Sequence, residues 1–335
     1  IFYFPFKKDS IFVTMEKFEV HILGCGSALP TTRHFATSQV VNIREKLFMI
    51  DCGEGAQMQL RKSKLKFTRL NHIFISHLHG DHCFGLMGLI STFGMLGRTA
   101  TLYIHCHAEL ERLLTPQLDF FCKGMSYKVV FQTFDPGKAE IIYDDRSLTI
   151  ETIPLRHRIP TCGFLFSEKQ TPAHIRRDMI DFYEIPVYEL NRIKNGADYT
   201  LPDGKIVPNN KLTIPSALPR RYAYCSDTIY LPRIIEQIYG VDLLFHEATF
   251  AQSEQARAKE TFHTTASQAG EIARTAKVKQ LLIGHFSARY EDESILLQEA
   301  SDIFPNTLLA RETLKISIES VSYTHLRAHE TAANL

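Results

Sequence analysis

The residues best suited to chemistry lie in one short stretch of the chain. The stretch reads Ser76-His77-Leu78-His79-Gly80-Asp81-His82. Four of its side chains, three imidazoles and one carboxylate, are of types that bind zinc, with bonds of about 2.0–2.2 Å. Isolated histidines are the usual false signals for metal sites, so a cluster this dense favours a metal site over a histidine-rich polar turn.

The flanking segments predict where this cluster sits. Residues 72–75 have the pattern of a short buried strand, and residues 83–97 that of an apolar helix that contains glycine. The cluster therefore falls in a strand-to-helix loop, where backbone turns help to set the direction of each ligand. Such a loop can send its first two histidines to one ion and its aspartate and last histidine to a neighbouring ion.

Length and composition limit the classes of function. The 335 residues suffice for a full core, as one large domain or two packed halves. Lysine and arginine number 38 and aspartate and glutamate 37, so any polyanion must be recognised by a local patch. The seven cysteines form no CxxC pair, which favours a reducing cytoplasm over a disulfide framework. No apolar stretch approaches the roughly 20 residues that span a bilayer, so no membrane association is expected.

The two ends of the chain differ in character from the rest. Residues 1–14 precede the first methionine and lack a signal-peptide cleavage site, and residues 319–335 follow the last strand-like run without periodicity. We therefore expect a non-native or disordered leader over 1–14, one domain over 15–318 and a non-native tail over 319–335. His325 and His329, in this tail, are left out of the metal assignment.

The first predicted strands lead to a second polar turn. Residues 18–23 alternate like a half-buried strand and run into Gly24-Cys25-Gly26-Ser27, whose lone Gly-x-Gly favours a tight turn over a dinucleotide loop. Residues 38–50 read as a hairpin that ends at Asp51. From its position alone, Asp51 either supports a nearby metal ligand by a hydrogen bond or caps the helix predicted over residues 56–62.

Three more side chains that can bind metals follow predicted strands further along the chain, namely His157, Asp227 and His285. His157 alone would read as a solvated loop histidine, but the first cluster is short of ligands for two ions. With these additions the set suits two ions about 3.5–4 Å apart with one bridging carboxylate, an arrangement that cleaves phosphodiesters. His105 and His107 have a similar spacing, but no carboxylate lies between them, and we do not expect them to bind a metal.

The order of the elements predicts the fold class. Strands followed by helices occur twice along the chain, which predicts an α/β fold of two packed sheets flanked by helices. Residues 167–221 interrupt this order with several prolines and a small excess of basic residues. So long an interruption is either a functional insertion or a linker, and its apolar residues favour a folded protrusion.

The order and types of these groups resemble the metallo-β-lactamase fold, and more closely its RNase Z family of tRNA 3′-processing endoribonucleases. The resemblance covers about residues 16–318 and implies an αββα sandwich, two mixed sheets flanked by helices, with an inserted flexible arm. It rests on separate motifs: Gly24-Cys25-Gly26-Ser27, Asp51-Cys52-Gly53-Glu54, His77 to His82, His157, Ser226-Asp227-Thr228, His246-Glu247-Ala248-Thr249, His263-Thr264-Thr265, Gly284-His285-Phe286-Ser287 and Arg289-Tyr290.

The resemblance also implies a ligand set for two zinc ions per subunit. One ion would be held by His77, His79, His157 and Asp227. The other would be held by Asp81, His82, Asp227 and His285, so that Asp227 bridges the pair. Imidazole and carboxylate sites also accept manganese, iron or cobalt, so the ligand types do not select zinc by themselves.

In the same family pattern, three residues carry the proton transfers. Asp81 would act as the general base toward the attacking water, and His263 would protonate the leaving 3′ oxygen while Glu247 holds it in place. This division is chemically sensible, because a metal already lowers the pKa of its water. The alkoxide leaving group then needs a proton donor away from the metals. Otherwise, His263 would be an ordinary residue near the start of the next helix.

The resemblance implies precursor tRNA as the substrate. Residues 167–221 match in position the arm that grips the tRNA elbow, although the Gly-Pro pair of many members is replaced here by Ile185-Pro186-Val187-Tyr188. Ser287, Arg289 and Tyr290 are expected to contact the acceptor stem, since the arginine fork suits phosphate. Family members of this length are usually homodimers.

Two other classes of function compete with this interpretation. One is a phosphodiesterase or small-molecule hydrolase of the same fold, which would need neither the arm nor the His263 motif. The other is a metal-stabilised RNA-binding protein without catalysis, which the loss of Asp81 or His82 would have favoured. Both residues are present. We therefore expect a zinc-dependent endoribonuclease that removes the 3′ trailer from precursor tRNA and leaves a 3′-hydroxyl on the tRNA.

Overall fold

The computed structural model describes residues 16–320 of the chain. The leader expected over residues 1–14 lies outside the described residues, as does nearly all of the tail expected over 319–335, with its two histidines. No helix within residues 16–320 is long and apolar enough to cross a membrane.

The first sheet has seven strands in the spatial order β18-β1-β2-β3-β4-β5-β6. They are β1 Phe18–Gly24, β2 Ser38–Ile43, β3 Lys46–Ile50, β4 Leu70–Phe74, β5 Leu102–Cys106, β6 Val129–Thr133 and β18 Lys315–Ser317. β18, β1, β2 and β3 pair antiparallel, whereas β3 to β6 pair parallel. All residues of β2 are buried because both faces of the sheet are covered, including its polar residues Ser38, Gln39 and Asn42.

The second sheet also has seven strands, in the order β17-β16-β15-β14-β9-β8-β7. They are β7 Ile141–Asp144, β8 Leu148–Pro154, β9 Cys162–Glu168, β14 Arg221–Cys225, β15 Leu243–Glu247, β16 Gln280–Gly284 and β17 Thr307–Leu309. β14 to β17 pair parallel, and β7, β8, β9 and β14 pair antiparallel. The parallel half of each sheet therefore delivers its strand ends to one edge.

Helices cover the outer face of each sheet. The helices are α1 Ala56–Lys62, α2 Gly80–Cys83, α3 Leu86–Met95, α4 Ala108–Phe121, α5 Arg177–Phe182, α6 Val187–Lys194, α7 Asn209–Leu212, α8 Gln255–Thr261, α9 Ala266–Thr275 and α10 Ser294–Ile303. α1, α3 and α4 pack on the first sheet, and α9 and α10 on the second. Between the sheets, buried side chains such as Phe48 and Phe166 form the main core, with ring centroids 6.0 Å apart. The structure confirms the predicted αββα arrangement.

The segment between β9 and β14 forms a small unit with its own core. It contains α5, α6 and α7 and two short ribbons, β10 His174–Ile175 with β13 Thr213–Ile214, and β11 Tyr199–Thr200 with β12 Ile206–Val207. Ile185, Ile193 and Leu212 are buried together within it. We call this unit the arm.

A buried ion pair closes the base of the arm. Arg220 Nε and Nη2 each lie 2.8 Å from a carboxylate oxygen of Glu168, and both residues are buried. Strand pairing continues up to this point, because Ser167 pairs with Arg221. The arm is therefore an excursion between two neighbouring antiparallel strands.

Several predicted elements have different bounds in the structure. The apolar helix predicted over residues 83–97 is broken into α2 and α3 at Gly85, because the Gly85 amide donates to Cys52 O at 2.8 Å. Between β14 and β15 the chain forms only a short 3-10 turn, Pro232–Ile234. β7 and β9 were not predicted from the sequence.

Candidate metal centre

The candidate site lies at the edge where the two sheets present their strand ends. His77 follows β4, Asp227 follows β14 and His285 follows β16, while His157 lies in the loop between β8 and β9. Backbone bonds join the sheets here, with Ser27 N donating to Phe286 O at 3.1 Å. All seven side chains predicted to bind a metal meet at this edge.

The first of two groups contains His77, His79, His157 and Asp227. Nδ1 of His79 lies 3.1 Å from Nε2 of His77 and 3.2 Å from Nε2 of His157. Two nitrogens bound to one tetrahedral zinc at about 2.0–2.1 Å lie about 3.3 Å apart. The spacing of these imidazoles therefore fits a shared zinc ion.

The second group contains Asp81, His82 and His285. Oδ2 of Asp81 lies 3.5 Å from Nε2 of both histidines. These two Nε2 atoms are buried and have no hydrogen-bond partner among the described residues. A buried polar atom without a partner is costly, so a ligand that accepts both lone pairs would complete this group.

Asp227 stands between the groups. Its Oδ1 lies 3.2 Å from Nε2 of both His82 and His285, whereas its Oδ2 lies 3.5 Å from Nε2 of His77 and 3.7 Å from Nε2 of His157. One carboxylate thus faces one group with each oxygen. This is the geometry required of a carboxylate that bridges two cations.

The outward nitrogen of four imidazoles is held by an oxygen acceptor. Nδ1 of His82 lies 2.7 Å from Asp51 Oδ2, and Nδ1 of His157 lies 2.9 Å from the backbone oxygen of Phe262. His77 Nδ1 lies 3.0 Å from the Ser76 hydroxyl, and His285 Nδ1 lies 3.0 Å from the Thr249 hydroxyl. Because Nδ1 donates in each case, the Nε2 lone pair points into the site, as metal binding requires.

Asp51 has the supporting position rather than the helix-capping one. Helix α1 begins after Gly55 without a side-chain cap, whereas the Asp51 carboxylate accepts bonds from His82, Ser76 and Tyr224. Tyr224 projects from the opposite sheet, and its hydroxyl lies 2.7 Å from Asp51 Oδ2. Asp51 therefore links the first sheet, the second sheet and a candidate metal ligand.

The backbone is strained where three of these residues leave their strands. Asp51, Asp227 and His285 have φ values of 54°, 62° and 61°, in the left-handed region that favours glycine. Such strain costs free energy and persists where the surrounding structure holds it in place, as at functional sites. Here it aims three polar side chains inward.

The electrostatic environment favours cations. Burial alone would lower the pKa of His82, but the carboxylates of Asp227, Asp51 and Asp81 raise it well above its usual value. Burial alone would also raise the pKa of Asp81, yet the neighbouring histidines His82 and His285 lower it. The carboxylates thus create a negative potential that stabilises positive charge, whether a proton or a metal ion.

Beside the metal groups, Glu247 and His263 form an ion pair. Nδ1 of His263 lies 3.1 Å from each oxygen of the fully buried Glu247 carboxylate. Thr249 Oγ1 and the Thr228 amide each donate to Glu247 at 2.6 Å. Burial opposes the charged imidazole, but the charge and hydrogen bond of Glu247 raise the pKa of His263 to about 9. The His263 ring is therefore oriented, and Nε2 is its remaining proton-bearing atom.

These groups line a cavity of about 980 Å³. Asp81, His263 and Ser287 are among its walls, whereas Arg289 and Tyr290 are not among its lining residues in the described part of the chain. Arg289 is exposed nearby, and the Tyr290 hydroxyl accepts a bond from Ala251 N at 2.8 Å. Of the three predicted substrate contacts, only Ser287 faces the cavity.

The structure adds residues that the sequence did not single out. Tyr224, on the second sheet, donates a hydrogen bond to Asp51 on the first. In the sequence, the only indication of a role for Tyr224 was its place in the strand that leads to Asp227. His34 lines the cavity between Glu312 and Glu293, 3.1 Å from an oxygen of each. The hydrogen bond that His34 donates to the Glu312 carboxylate raises the pKa of His34. His105 and His107 lie elsewhere, since His105 stacks on Phe74 and His107 caps α4.

The amino-acid sequence is similar to those of known proteins. A family model described as anti-Pycsar protein Apyc1 matches residues 18–180. The chain is 99% identical over 307 residues to ribonuclease Z of Phocaeicola vulgatus, covering 92% of this chain and 99% of that protein. It is 72% identical over 316 residues to ribonuclease Z of Bacteroides thetaiotaomicron, covering 94% and 99%.

Among solved structures, the short form of human tRNase Z superposes with a TM-score of 0.63 at 24% identity, covering 90% of this chain and 99% of that one. The Bacillus subtilis metallo-β-lactamase fold protein YhfI superposes with a TM-score of 0.62 at 18% identity, covering 90% and 99%. At these identities the likeness shows the fold, which agrees with the two mixed sheets described above.

Proposed function

The chain belongs to the ribonuclease Z family of tRNA 3′-processing endoribonucleases, and from that premise we propose how its site removes the 3′ trailer from precursor tRNA. The observation that carries the proposal is the position of Asp227, with one carboxylate oxygen toward each of two imidazole groups. We propose that each subunit holds two zinc ions. His77, His79, His157 and Asp227 would hold one, and Asp81, His82, His285 and Asp227 the other.

When bound, the ions would supply Lewis-acid polarisation of the phosphodiester and acidification of the attacking water. Asp81 is ionised at neutral pH, because the neighbouring histidines lower its pKa. We propose, as the family resemblance implies, that its carboxylate orients the attacking water and accepts its proton. Five of the seven proposed ligands, His79, Asp81, His157, Asp227 and His285, line the cavity, and the scissile phosphate would bind against them.

His263 completes the reaction from the other side of the phosphate. Its raised pKa keeps Nε2 protonated at neutral pH, while Glu247 holds Nδ1 and fixes the plane of the ring. Nε2 donates its proton to the departing 3′ oxygen, so the tRNA leaves with a 3′-hydroxyl. Glu247 acts through His263 and is a positioning residue.

Substrate recognition is proposed for three places. Ser287 lines the cavity and would contact the acceptor stem, and Arg289, which is exposed beside it, would reach a phosphate. Tyr290 would act through its bond to Ala251, which shapes the cavity wall next to Phe250. The arm, whose ends are held by Glu168 and Arg220, would bind the tRNA elbow.

We also propose a homodimer, as the family resemblance implies, in a cytoplasmic location. The seven cysteines are all free thiols, which suits a reducing compartment, and tRNA precursors are processed where they are made. Sedimentation of the zinc-loaded protein measures the oligomeric state.

The deciding experiment maps cleavage of one unprocessed tRNA with and without a chelator. We expect one cut at the trailer junction, a 3′-hydroxyl on the tRNA, loss of activity on chelation and recovery with zinc. In Asp81→Ala, turnover should be abolished while precursor binding survives. Hydrolysis of a simple phosphodiester without cleavage of precursor tRNA would instead indicate a small-molecule phosphodiesterase.

A further inference from the structure

One aromatic side chain at the cavity is largely unpacked. Phe84 follows α2, two positions after His82, and its side chain is 75% exposed. It lines the cavity next to Gly80 and Asp81. No other aromatic ring within residues 16–320 stacks on it.

The ring is nevertheless held in one place. A Cβ atom on Gly80 would lie 2.4 Å from Cε2 of Phe84 and 2.7 Å from Cδ2 and Cζ, so the ring rests directly over the glycine backbone. The Phe84 amide donates to Gly80 O at 2.9 Å, and the next amide, of Gly85, donates to Cys52 O at 2.8 Å. The backbone on both sides of the ring is therefore anchored beside Asp81.

The other two phenylalanines of the cavity differ from Phe84, since Phe250 is buried and Phe35 has packing partners. Phe35 packs on Gly55, where a Cβ would lie 2.4 Å from its Cδ1, and the Lys62 ammonium lies 5.4 Å from its ring centroid. Phe35 is 37% exposed, about half as much as Phe84. Its ring already has partners, whereas the ring of Phe84 is open to the cavity.

We propose that Phe84 is a stacking platform for a nucleobase that adjoins the scissile phosphate. The inference rests on the proposed function, because that function places the phosphate at Asp81 and Asp227, next to this ring. A nucleotide at the single-stranded 3′ end carries its base within reach of the cavity mouth. Stacking on an aromatic ring accepts any base, which suits an enzyme whose substrates differ in sequence at the cut.

The chain offers a direct optical test because it contains no tryptophan. In Phe84→Trp the new indole is the single tryptophan, and a stacked base quenches indole fluorescence. The matched control is Phe120→Trp, on α4, where the native side chain is 77% exposed and lies outside the cavity lining. Stopped-flow mixing of the zinc-loaded protein with precursor tRNA records the quench before cleavage.

Abasic substrates identify the stacked base. We expect quenching in Phe84→Trp and none in Phe120→Trp. Removing the base on one side of the scissile bond, either the last of the tRNA or the first of the trailer, should abolish that quench and so show which nucleotide stacks. Quenching that survives both abasic substitutions, or no quenching beyond the control, would overturn the proposal.

The ratio of kcat/KM on intact and abasic precursors provides a second test, because a folding defect would lower both values equally. Phe84→Leu should lower kcat/KM on intact precursor by about 5- to 100-fold, the range expected for one lost stacking contact. Phe84→Tyr, which keeps an aromatic ring, should have the wild-type kcat/KM, and Phe120→Leu should leave kcat/KM unchanged. On the abasic precursor, wild type and Phe84→Leu should be equal. An equal loss on both substrates would mean that Phe84 is only structural, whereas a wild type that cuts no precursor would refute the proposed function instead.

Discussion

Nδ1 of His82 lies 2.7 Å from Oδ2 of Asp51, and both side chains are buried. The contact fixes the tautomer of the histidine, because the carboxylate accepts from Nδ1 and leaves the Nε2 lone pair toward Asp227. Asp51 also accepts from Tyr224 and Ser76, so its own orientation is determined by both sheets. The orientation of His82 within the second group of candidate ligands thus depends on Asp51, which is not itself a candidate ligand.

Asp51→Asn should weaken metal binding. An amide can present its NH2 group to His82, which removes the acceptor that holds Nδ1, and loss of such outer contacts costs about 10–100-fold in metal affinity. Competition against a chromophoric chelator measures the zinc affinity of each variant. Tyr224→Phe is the matched control, because it removes one donor to Asp51 and leaves the contact with His82 intact. Equal affinity in Asp51→Asn and wild type would contradict this role of Asp51.

His263→Ala should slow cleavage by about 10²–10⁴-fold, the usual contribution of a general acid. The defect should largely disappear on a precursor whose scissile 3′ oxygen is replaced by sulfur, since a thiolate leaves without a proton donor. Single-turnover rates on the two precursors, both at saturating enzyme, measure the rescue.

Glu247→Gln tests the positioning role in the same assay. It keeps the shape of the side chain but removes the charge opposite Nδ1, so we expect a smaller defect with the same dependence on the leaving group. If sulfur substitution rescues neither variant, His263 does not protonate the leaving group.

The stability of the fold should fall in mild acid because of a histidine pair outside the site. His72 Nδ1 and His105 Nε2 lie 3.1 Å apart, and burial lowers the pKa of His72 to about 4 and that of His105 to about 3. In the unfolded chain both histidines have a pKa near 6.5, so between about pH 6.5 and pH 4 the unfolded chain binds more protons than the folded protein does. The free energy of unfolding therefore decreases as pH falls through this range.

The slope is at most about 1.4 kcal/mol per pH unit for each histidine, and smaller for the partly exposed His72. Urea unfolding from pH 7 to pH 4.5 measures it. His105→Gln keeps hydrogen-bonding groups but does not titrate, and should show a shallower pH dependence than wild type. Parallel pH profiles for the two proteins would rule out this pair as a source of acid sensitivity.

The arm should be separable from the metal centre by mutation. Ile193 is buried in the arm core, and Ile193→Ala removes apolar packing worth about 2–5 kcal/mol at a buried site. We expect faster amide exchange confined to the arm and weaker binding of precursor tRNA, with hydrolysis of a simple phosphodiester retained. Ile150→Ala, an equally buried change in the main core, should instead lower global stability. Retained precursor affinity with an open arm would argue against binding through the arm.

The sequence was most informative where polar residues follow strongly patterned strands. The density of metal-binding side chains was enough to identify His77 to His82 as a candidate metal site. The hairpin over residues 38–50 has the predicted bounds, with a two-residue turn at 44–45 between its strands. The sandwich followed from the repeated order of strands and helices, and the structure confirms it.

Other features depend on contacts distant in sequence and could not be predicted. For Asp51 the sequence left two roles open, support of a metal ligand and capping of the following helix, because its contacts with His82 and Tyr224 join distant segments. The left-handed φ of His285 could not be predicted, because a positive φ is uncommon in any residue type other than glycine. Phe84 read as part of an apolar helix, because the bond from Gly85 to Cys52 that breaks the helix joins distant segments.

The base of the arm determines how the fold tolerates changes in the length of the arm. Ser167 and Arg221 are already paired in the sheet, and Arg220 seals the junction against Glu168. Loop-closure entropy grows only slowly with loop length, so residues gained or lost beyond this junction leave the register of β9 and β14 unchanged. We therefore expect that residues can be inserted into the arm or removed from it without disturbing the residues that surround Asp227.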